Sequence, residues 1–307
     1  MTSRDGNGWV RCGLGHRHWG RFGAAGLLAY VRSGGPVLLQ QRTWWSHHGG
    51  TWGLPGGARD SHETVLGAAE REAEEECGVR PGMVRPRGIF TDDHGGWSYT
   101  TVLAQAQAPF EVQSDYDETE DVAWVDLAKI SQLGLHPGFA AHWDLLRAAL
   151  EPLTIIVDGA NVVGSRPDGW WRDRAGAALR LRAELEPLVT AGVWAHPGDA
   201  VAGLGGAGTE TGAGHGAASV RAAELRMTWL PDIVLVVEGQ ARSAAGENGA
   251  GPVRVVAAPG SGDDTIAGLA AQTEGRRVVV TADRELQQRC GAAGAEVAGP
   301  GWLLGRV

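Results

Sequence analysis

The sequence predicts two domains, a mixed α+β domain followed by an α/β domain built on a parallel sheet. Three observations predict this fold class. The chain has 307 residues, which suits two ordinary domains. Its first half combines strand-like segments with a strongly acidic helix, and its second half alternates short apolar strands with helices. We place the boundary at Glu151–Pro152, with domains over residues 1–150 and 152–307.

The composition limits the classes of function. With 43% hydrophobic residues the chain can form real cores, and its formal net charge of -9 argues against general affinity for a nucleic-acid backbone. Three widely spaced cysteines (Cys12, Cys77 and Cys290) indicate a reducing compartment. The start of the sequence lacks an apolar signal core, and the sequence has no apolar run long enough to span a bilayer. We therefore expect a cytoplasmic protein without a membrane partner.

In the first half, "AAGLLAYV" and "PVLLQQR" predict a β-hairpin whose strands are separated by "RSGG". A turn-rich stretch, "HHGGTWGLPGG", precedes a helix over residues 63–78. Strand-like "RPRGIF", "YTTVLAQA" and "VAWVDL" follow, and "HPGFAAHWDLLRAAL" predicts a last helix. This order is typical of a mixed α+β unit that ends near residue 150.

The helix "ETVLGAAEREAEEECG" carries unusually many acids, although like charges four residues apart destabilise a helix. Its core-facing residues recur every three to four positions: Leu66, Ala69, Ala73 and Cys77. Glu72, Glu75 and Glu76 fall on another face, within an arc of about 100°. The pattern fits either a solvated acidic surface or a site for a hard divalent cation such as Mg²⁺, which takes oxygen ligands and leaves room for substrate phosphates. Gly78 can end the helix in a left-handed conformation.

The spacing of this region resembles the Nudix box at every specified position: Gly57, five residues, Glu63, seven residues, Arg71-Glu72-Ala73, one residue, Glu75-Glu76, one residue, Gly78-Val79. The resemblance covers about the first 150 residues. It implies a Nudix α/β/α sandwich that hydrolyses a nucleoside diphosphate linked to a group X. The implied cofactor is Mg²⁺, with Mn²⁺ as a substitute, which bridges the diphosphate and lowers the pKa of the attacking water.

The same resemblance implies roles for individual residues. Glu72, Glu75 and Glu76 match the metal ligands, Arg71 matches an orienting arginine, and Glu63 an outer ligand or helper. Because the catalytic base differs among members of the family, Glu75 is only the first candidate, and the acids of "ETEDVAWV", Glu118 and Glu120, are weaker candidates. Bound metal would relieve the repulsion between the glutamates of the helix.

Another stretch of the first half, "CGLGHRHW", places Cys12, His16 and His18 close together. One cysteine without a second pair is a poor zinc-finger pattern. We interpret the stretch as a loop or as the remnant of a metal knuckle, and we assign it no role from the sequence.

In the second half, "LTIIVDGANVV", "DIVLVVEG", "VRVVAA" and "RRVVVTAD" predict short buried strands. The segments "RAGAALRLRAELEPLV" and "DDTIAGLAAQ" predict helices between them, so that a parallel sheet is covered on both faces. A Gly/Ala-rich tract near residues 199–217 has little apolar surface and predicts a flexible insertion.

Acidic residues follow these strands. Asp158, Glu238 and Asp283 each come just after a predicted strand, and Asp263-Asp264 begins a helix. Because the carboxyl ends of parallel strands line up along one edge, we expect these acids to meet there and to need one or two cations. Each acid taken singly is also explained by a turn or a helix cap.

"VDGANVV", "GDDTIAGLA" and "VVVTADREL", in that order, resemble the NYN branch of the PIN-like ribonucleases, from about residue 153 to residue 307. The resemblance implies a Rossmann-like parallel-sheet domain that acts on RNA with divalent metal. By matching positions it implies metal ligands at Asp158, Asp263, Asp264 and Asp283. Asn161 would contact metal-bound water or phosphate, and Glu238 is a further matching acid.

Together these observations predict a metal-dependent phosphohydrolase of two domains, a nucleotide pyrophosphohydrolase joined to a ribonuclease. The alternative is a sensor, in which the first domain binds a nucleotide without turnover and regulates an RNA-binding or RNA-cleaving second domain. The full set of box carboxylates favours the enzyme, because a module that only binds has no need of them.

Overall fold

The computed structural model describes residues 4–32, 34–114, 119–195, 223–246 and 251–307. The predicted insertion near residues 199–217 lies outside these ranges. The described residues form two compact units. The first contains the residues up to Leu150 together with residues 223–228, and the second contains Glu151–Ala195 and the residues from Trp229 onward. None of the described helices is long and apolar enough to cross a membrane.

The described strands, in chain order, are β1 (Trp9–Arg11), β2 (Arg17–Trp19), β3 (Ala24–Val31), β4 (Val37–Arg42), β5 (Trp52–Gly53), β6 (Gly56–Ala58), β7 (Val84–Asp93), β8 (Ser98–Ala106), β9 (Thr119–Val125), β10 (Leu153–Asp158), β11 (Val193–Ala195), β12 (Glu224–Trp229), β13 (Asp232–Val237), β14 (Val253–Ala257), β15 (Arg276–Val280) and β16 (Glu296–Ala298). The described α-helices are α1 (Val65–Cys77), α2 (Leu127–Ile130), α3 (Pro137–Ala148), α4 (Gly159–Gly164), α5 (Arg174–Ala191), α6 (Gly262–Gln272), α7 (Arg284–Ala292) and α8 (Pro300–Leu304). Short 3₁₀ helices cover Trp170–Arg172 and Gly239–Ala245.

The first unit is built on a mixed sheet around β3, which is buried along its whole length. β3 runs parallel to β8 and antiparallel to β6, and β7 pairs antiparallel with β8. The predicted strands of this half are confirmed. The predicted hairpin is present but short, because β3 and β4 pair only at Tyr30 and Val37, and β4 then continues along β9 and β5.

Different helices cover the two faces of this sheet. Ala69, Ala73 and Cys77 of α1 pack in one buried cluster with Leu27 of β3 and Val102 of β8. On the other face α3 lies against the sheet, where the His142 ring contacts the Phe90 ring of β7. The predicted core-facing stripe of the acidic helix and the predicted packing of helices on a mixed sheet are therefore confirmed.

Local chemistry sets both ends of α1. The hydroxyl of Thr64 caps the first turn by accepting a hydrogen bond from the Gly67 amide, as an N-cap residue does. Gly78 ends the helix at φ 72°, in the left-handed region that favours glycine, as predicted. The helix begins two residues later than predicted, so Glu63 lies before it in the preceding turn.

The second unit contains a parallel sheet with the order β14-β13-β10-β15-β16 among the described residues. β13 and β14 lie on one side of β10, and the later strands β15 and β16 lie on its other side, as in Rossmann-like folds. Ile266 of α6 and Leu286 of α7 pack against Ile156 on one face. Side chains that point to the opposite face of the sheet, such as Leu235, lie on the side where α5 contacts β13 and β14. The predicted parallel sheet with helices on both faces is confirmed.

Candidate active site

Arg71 is the centre of a charged network on α1. Its Nε and Nη2 donate to the two carboxylate oxygens of Glu63 at 2.7 and 3.0 Å, a bidentate arrangement of the strong kind. Nη1 donates to Glu72 Oε1 at 2.7 Å and to Glu75 Oε2 at 3.3 Å, and Nη2 also donates to the Ala58 carbonyl. The hydrogen bonds from Arg71 lower the pKa of Glu63. One guanidinium thus holds three carboxylates.

Glu76 is the most deeply buried acid of the helix, with 5% of its surface exposed. Its Oε2 accepts hydrogen bonds from the Gly56 amide at 2.7 Å and from Gln40 Nε2 at 2.9 Å. Burial, with the nearby charge of Glu72, raises the pKa of Glu76 to about 8. A buried carboxylate that is hydrogen-bonded but lacks a cationic partner at these distances marks a candidate functional site.

Gly57 lies directly over Glu72. A Cβ atom added to Gly57 would lie 2.7 Å from Glu72 Oε1, closer than real contacts allow. Burial raises the pKa of Glu72, against the opposing effect of Arg71. A glycine at position 57 therefore lets β6 approach the carboxylate of Glu72 closely.

The other candidate acids of the first unit have different surroundings from Glu76. Glu75 is partly exposed and also receives a hydrogen bond from Arg4 at 2.6 Å, in addition to its contact with Arg71. Glu120 is exposed, and Glu118 lies outside the described residues. Glu72 and Glu76 thus lie inside, near Gly56 and Gly57 of β6, while Glu75 lies at the solvent side of the same helix.

A cavity of about 270 Å³ opens between the sheet and α3 of the first unit. It reaches Gly56, whose amide holds Glu76, and four aromatic side chains line it: Phe90, Trp97, Tyr99 and Phe139. Asp92 is also part of the wall, and its Oδ2 accepts hydrogen bonds from Nε2 of His94 and Nε2 of His142, both at 3.0 Å. Asp92 Oδ1 is buried and has no hydrogen-bond partner among the described residues.

The charge state of Asp92 follows from these contacts. Burial alone would raise its pKa, but the hydrogen bonds from His142 and His94 outweigh burial and lower the pKa. An ionised carboxylate only accepts hydrogen bonds, so both imidazoles donate to it. The cavity therefore combines aromatic walls with an ionised carboxylate.

In the second unit, Asp158 ends β10 and is buried. Its Oδ2 accepts a hydrogen bond from the Thr281 hydroxyl at 2.8 Å, and its Oδ1 caps α4 by accepting from the Asn161 amide at 3.0 Å. Asn161 Oδ1 in turn accepts from the Ala282 amide at 3.1 Å. These bonds join the carboxyl ends of β10 and β15, beside the point where the strand order reverses and Rossmann-like sheets bind ligands.

The other predicted acids of this edge divide into two groups. Asp283 caps α7 through the Leu286 amide, and Glu238 accepts from the Gly262 amide, each at 2.8 Å. Burial, followed by the charges of Asp158, Asp283 and Glu238, raises the pKa of Asp263. Asp264 instead is 73% exposed and pairs with Arg289 at 2.7 Å. The structure thus brings Asp158, Asp263, Asp283 and Glu238 near one another, and it places Asp264 in a surface ion pair.

The pKa of Glu76 predicts a pH dependence for the metal-free protein. An unfolded glutamate loses its proton near pH 4.5, whereas Glu76 in the folded chain keeps its proton up to about pH 8. Between these values the unfolded state binds fewer protons, so the stability of the first unit falls as the pH rises. We expect Glu76→Gln to melt near the wild-type temperature at pH 5 and above it at pH 8, both measured with EDTA. An equal difference in melting temperature at both pH values would contradict the assignment of this burial penalty to Glu76.

The mixed sheet with α1 on one face and α3 on the other makes the first unit an α/β/α domain. Its carboxylate network lies on α1, beside the glycines of β6 and the cavity. Its relatives agree with this class. Residues 20–148 match the family described as the NUDIX domain. Over 160 residues the chain is 46% identical to the "Putative 8-oxo-dGTP diphosphatase 3" of Mycobacterium tuberculosis (strain CDC 1551 / Oshkosh), covering 49% of this chain and 72% of the relative. The chain belongs to the Nudix family through its first unit.

Two further proteins that are similar to the chain also have Nudix in their names. A "Nucleoside triphosphate pyrophosphatase/Nudix hydrolase fusion protein" of Bifidobacterium longum (strain NCC 2705) is 37% identical over 157 residues, which cover 49% of this chain and 33% of the relative. The crystal structure of a Nudix hydrolase from M. smegmatis, RenU, is 46% identical and covers 46% of this chain and 93% of its own, with a TM-score of 0.43. The family match spans residues 20–148 and so concerns the first unit.

Proposed function

We propose that the first unit hydrolyses a phosphoanhydride bond of a nucleoside diphosphate linked to a group X, with Mg²⁺ or Mn²⁺ as cofactor. The observation that carries the proposal is Glu76, a carboxylate buried beside Glu72 and held by the Gly56 amide at the edge of the cavity. Carboxylate oxygens are the ligands that Mg²⁺ prefers. When bound, the ion stabilises charge on the phosphate oxygens and lowers the pKa of a water.

The residues of the chain have distinct parts in this proposal. Glu72, Glu75 and Glu76 hold the metal, and Arg71 keeps Glu72 and Glu75 in place while Glu63 fixes the guanidinium from the other side. The Gly56 amide orients Glu76. Glu75 is the first candidate for the base that accepts the proton of the attacking water, since it lies at the solvent side of the helix.

The cavity supports a nucleobase as part of the substrate. Aromatic side chains such as Phe90, Trp97 and Phe139 offer stacking surfaces. Asp92 is part of the cavity wall and its pKa is lowered, so its carboxylate adds negative charge beside these rings. A nucleoside triphosphate is a nucleoside diphosphate in which X is phosphate, so the name of the 46% identical relative makes 8-oxo-dGTP the first substrate to test.

A panel of nucleotides tests the proposal. The full chain with Mg²⁺ is incubated with 8-oxo-dGTP, dGTP, ADP-ribose and a dinucleoside polyphosphate, and the products are separated by ion-exchange chromatography. We expect cleavage within the polyphosphate of at least one of them, and none with EDTA. Tight binding without any cleavage would replace this proposal by the nucleotide-sensing alternative.

We propose, as a second function, that the second unit is a PIN-like ribonuclease of the NYN branch. The observation that favours it is the placement of Asp158, Asp263, Asp283 and Glu238 at the carboxyl edge of the parallel sheet. A divalent ion bound there would offset the like charges that raise the pKa of Asp263. Asn161 lies at the same edge and joins β10 to the residues after β15. Asp264, which the sequence includes among the ligands, would have to leave Arg289 to take part.

This second function predicts that the full chain cleaves single-stranded RNA with Mn²⁺ or Mg²⁺. Asp283→Asn should remove the cleavage, because an amide retains the shape but not the charge that a cation needs. Glu274→Gln, which changes an exposed acid outside the acidic edge, is the matched control and should cleave like the wild type. Loss of RNA cleavage is followed on a labelled oligonucleotide, with circular dichroism to check the fold. Cleavage that survives Asp283→Asn would show that the acidic edge does not carry it.

A further inference from the structure

The first unit contains a second group of metal-binding side chains, apart from the acidic helix. Cys12 begins the turn between β1 and β2, His16 and His18 follow it, and His94 comes from the turn after β7. One ligand atom from each of these four residues lies within 4.8 Å of the other three. We propose that Cys12, His16, His18 and His94 bind a structural Zn²⁺ ion.

The donor set and its spacing suit zinc. One thiolate and three imidazoles are ligands of the two types that zinc takes most often in proteins, and four of them are enough to close a tetrahedral site. With Zn–S near 2.3 Å and Zn–N near 2.0–2.1 Å, a tetrahedral site requires a sulfur–nitrogen separation of about 3.6 Å. The Sγ of Cys12 lies 3.9 Å from Nδ1 of His94. A shift of a few tenths of an ångström would therefore complete this pair of ligands.

His94 is already oriented for the role. Its Nε2 donates to Asp92 Oδ2 at 3.0 Å, which leaves the lone pair of Nδ1 on the side of Cys12 Sγ. A carboxylate behind a ligating histidine is the usual arrangement in metal sites, because it fixes the tautomer and the ring orientation. Asp92 is itself held by His142 from α3, so the support does not depend on the turn.

His18 supplies an independent observation. Its ring stacks on Trp97 with a centroid separation of 3.8 Å and an angle of 9° between the planes. Its Nε2 is buried without a hydrogen-bond partner among the described residues, which is costly for a polar atom unless something else satisfies it.

The position of the group explains what the ion would stabilise. β1 and β2 pair only with each other in the described part of the chain, and a two-stranded sheet is marginal by itself. A small apolar cluster around Cys12, Ala24 and Trp97 anchors this hairpin. By coordinating residues of both, zinc would link the hairpin to the turn after β7. His18 and His94 also line the cavity. The ion would thus keep one wall of the cavity in place.

A second histidine group, His47, His48 and His136, also has its ligand atoms within 4.8 Å of one another. It lacks a thiolate, and two of its members are exposed. This difference makes cobalt substitution decisive, because only the Cys12 group can produce a thiolate-to-cobalt charge-transfer band.

The experiment uses the full chain expressed without a histidine tag in medium supplemented with zinc. We expect about one zinc per chain by mass spectrometry of the metal content after dialysis. Replacement by Co²⁺ should give the intense visible bands of a tetrahedral site together with the thiolate band. His16→Ala, which removes an exposed ligand without disturbing the core, should lose the metal or bind it much more weakly. His47→Ala and Cys77→Ser are matched controls and should keep it.

Cys12→Ser and His94→Ala should abolish the thiolate band, and removal of zinc by a chelator should lower the melting temperature of the wild type but not that of His16→Ala. Because Cys12 is part of a buried cluster, the His16→Ala result stands even where a Cys12 variant fails to fold. Wild-type protein without stoichiometric zinc and without a cobalt–thiolate band would overturn the proposal. So would metal binding that is lost with His47→Ala and kept with His16→Ala.

Discussion

Glu76→Gln is expected to lower nucleotide hydrolysis by about a thousandfold while leaving the fold intact. Metal-assisted stabilisation of the reacting phosphate is worth several kcal/mol, and each 1.4 kcal/mol is about a factor of ten in rate. Glutamine preserves an oxygen acceptor for the Gly56 amide and removes the charge that a metal ion needs. The rate is measured with Mg²⁺ on the best nucleotide of the panel, and far-UV circular dichroism reports the fold.

Glu74→Gln is the matched control for this prediction. Glu74 lies on the same helix, is exposed and makes no side-chain contact with Arg71, so its substitution removes the same charge outside the site. We expect wild-type turnover from it. Added Mg²⁺ should raise the melting temperature of the wild type and of Glu74→Gln more than that of Glu76→Gln, because a ligand stabilises only the state that binds it. Wild-type turnover in Glu76→Gln would end the assignment of the site to α1.

Gly57→Ala is expected to lower kcat/KM by about a hundredfold, a loss typical of a catalytic group displaced by about 1 Å. The three heavy atoms nearest to the added Cβ would all belong to the carboxylate of Glu72, at 2.7–2.8 Å. That carboxylate is the far end of a flexible side chain and can move, but moving it weakens its 2.7 Å contact with Arg71. The melting temperature should therefore change little.

Gly56→Ala, one residue earlier, is expected to lower the stability of the fold. Its Cβ would lie 2.6 Å from the Ala25 carbonyl oxygen and 2.6 Å from the Gly26 Cα, and backbone cannot yield as a side chain does. We expect a loss of about 1–3 kcal/mol in stability, the usual cost of overpacking. The two variants thus separate a catalytic from a structural effect at neighbouring positions of β6. Equal loss of stability in both variants, or full activity in Gly57→Ala, would contradict our account of these two glycines.

Several features of the protein follow from neighbours in sequence and were predictable from it. The acidic helix, its apolar stripe and its end at Gly78 depend on residues within a few positions of one another. The parallel sheet of the second unit follows from alternation of apolar strands with helices, which leaves little choice of topology. The box spacing identified the family, because each position serves one local geometry, such as Gly57 over Glu72.

Other features depend on residues that are distant in sequence, and only the tertiary structure could decide them. Glu75 and Glu76 are adjacent in the same acidic run, yet the packing of α1 against Gln40 and Gly56 buries one and leaves the other in solvent. The segment of β12 was not predicted as a strand, although its residues alternate between polar and apolar. It lies beside β7 in the first unit's sheet, a pairing between segments far apart in the chain.

The Cys12 group also depends on residues that are distant in sequence. The sequence presents Cys12, His16 and His18 as an incomplete metal pattern, since the fourth ligand, His94, belongs to a turn far along the chain. Likewise Asp263 and Asp264 are neighbours with one predicted role, but the register of α6 turns Asp263 toward the other acids and Asp264 toward Arg289. Short-range periodicity determines which elements form, whereas the side chains that meet are selected by burial and by the long-range pairing of strands, which no local pattern encodes.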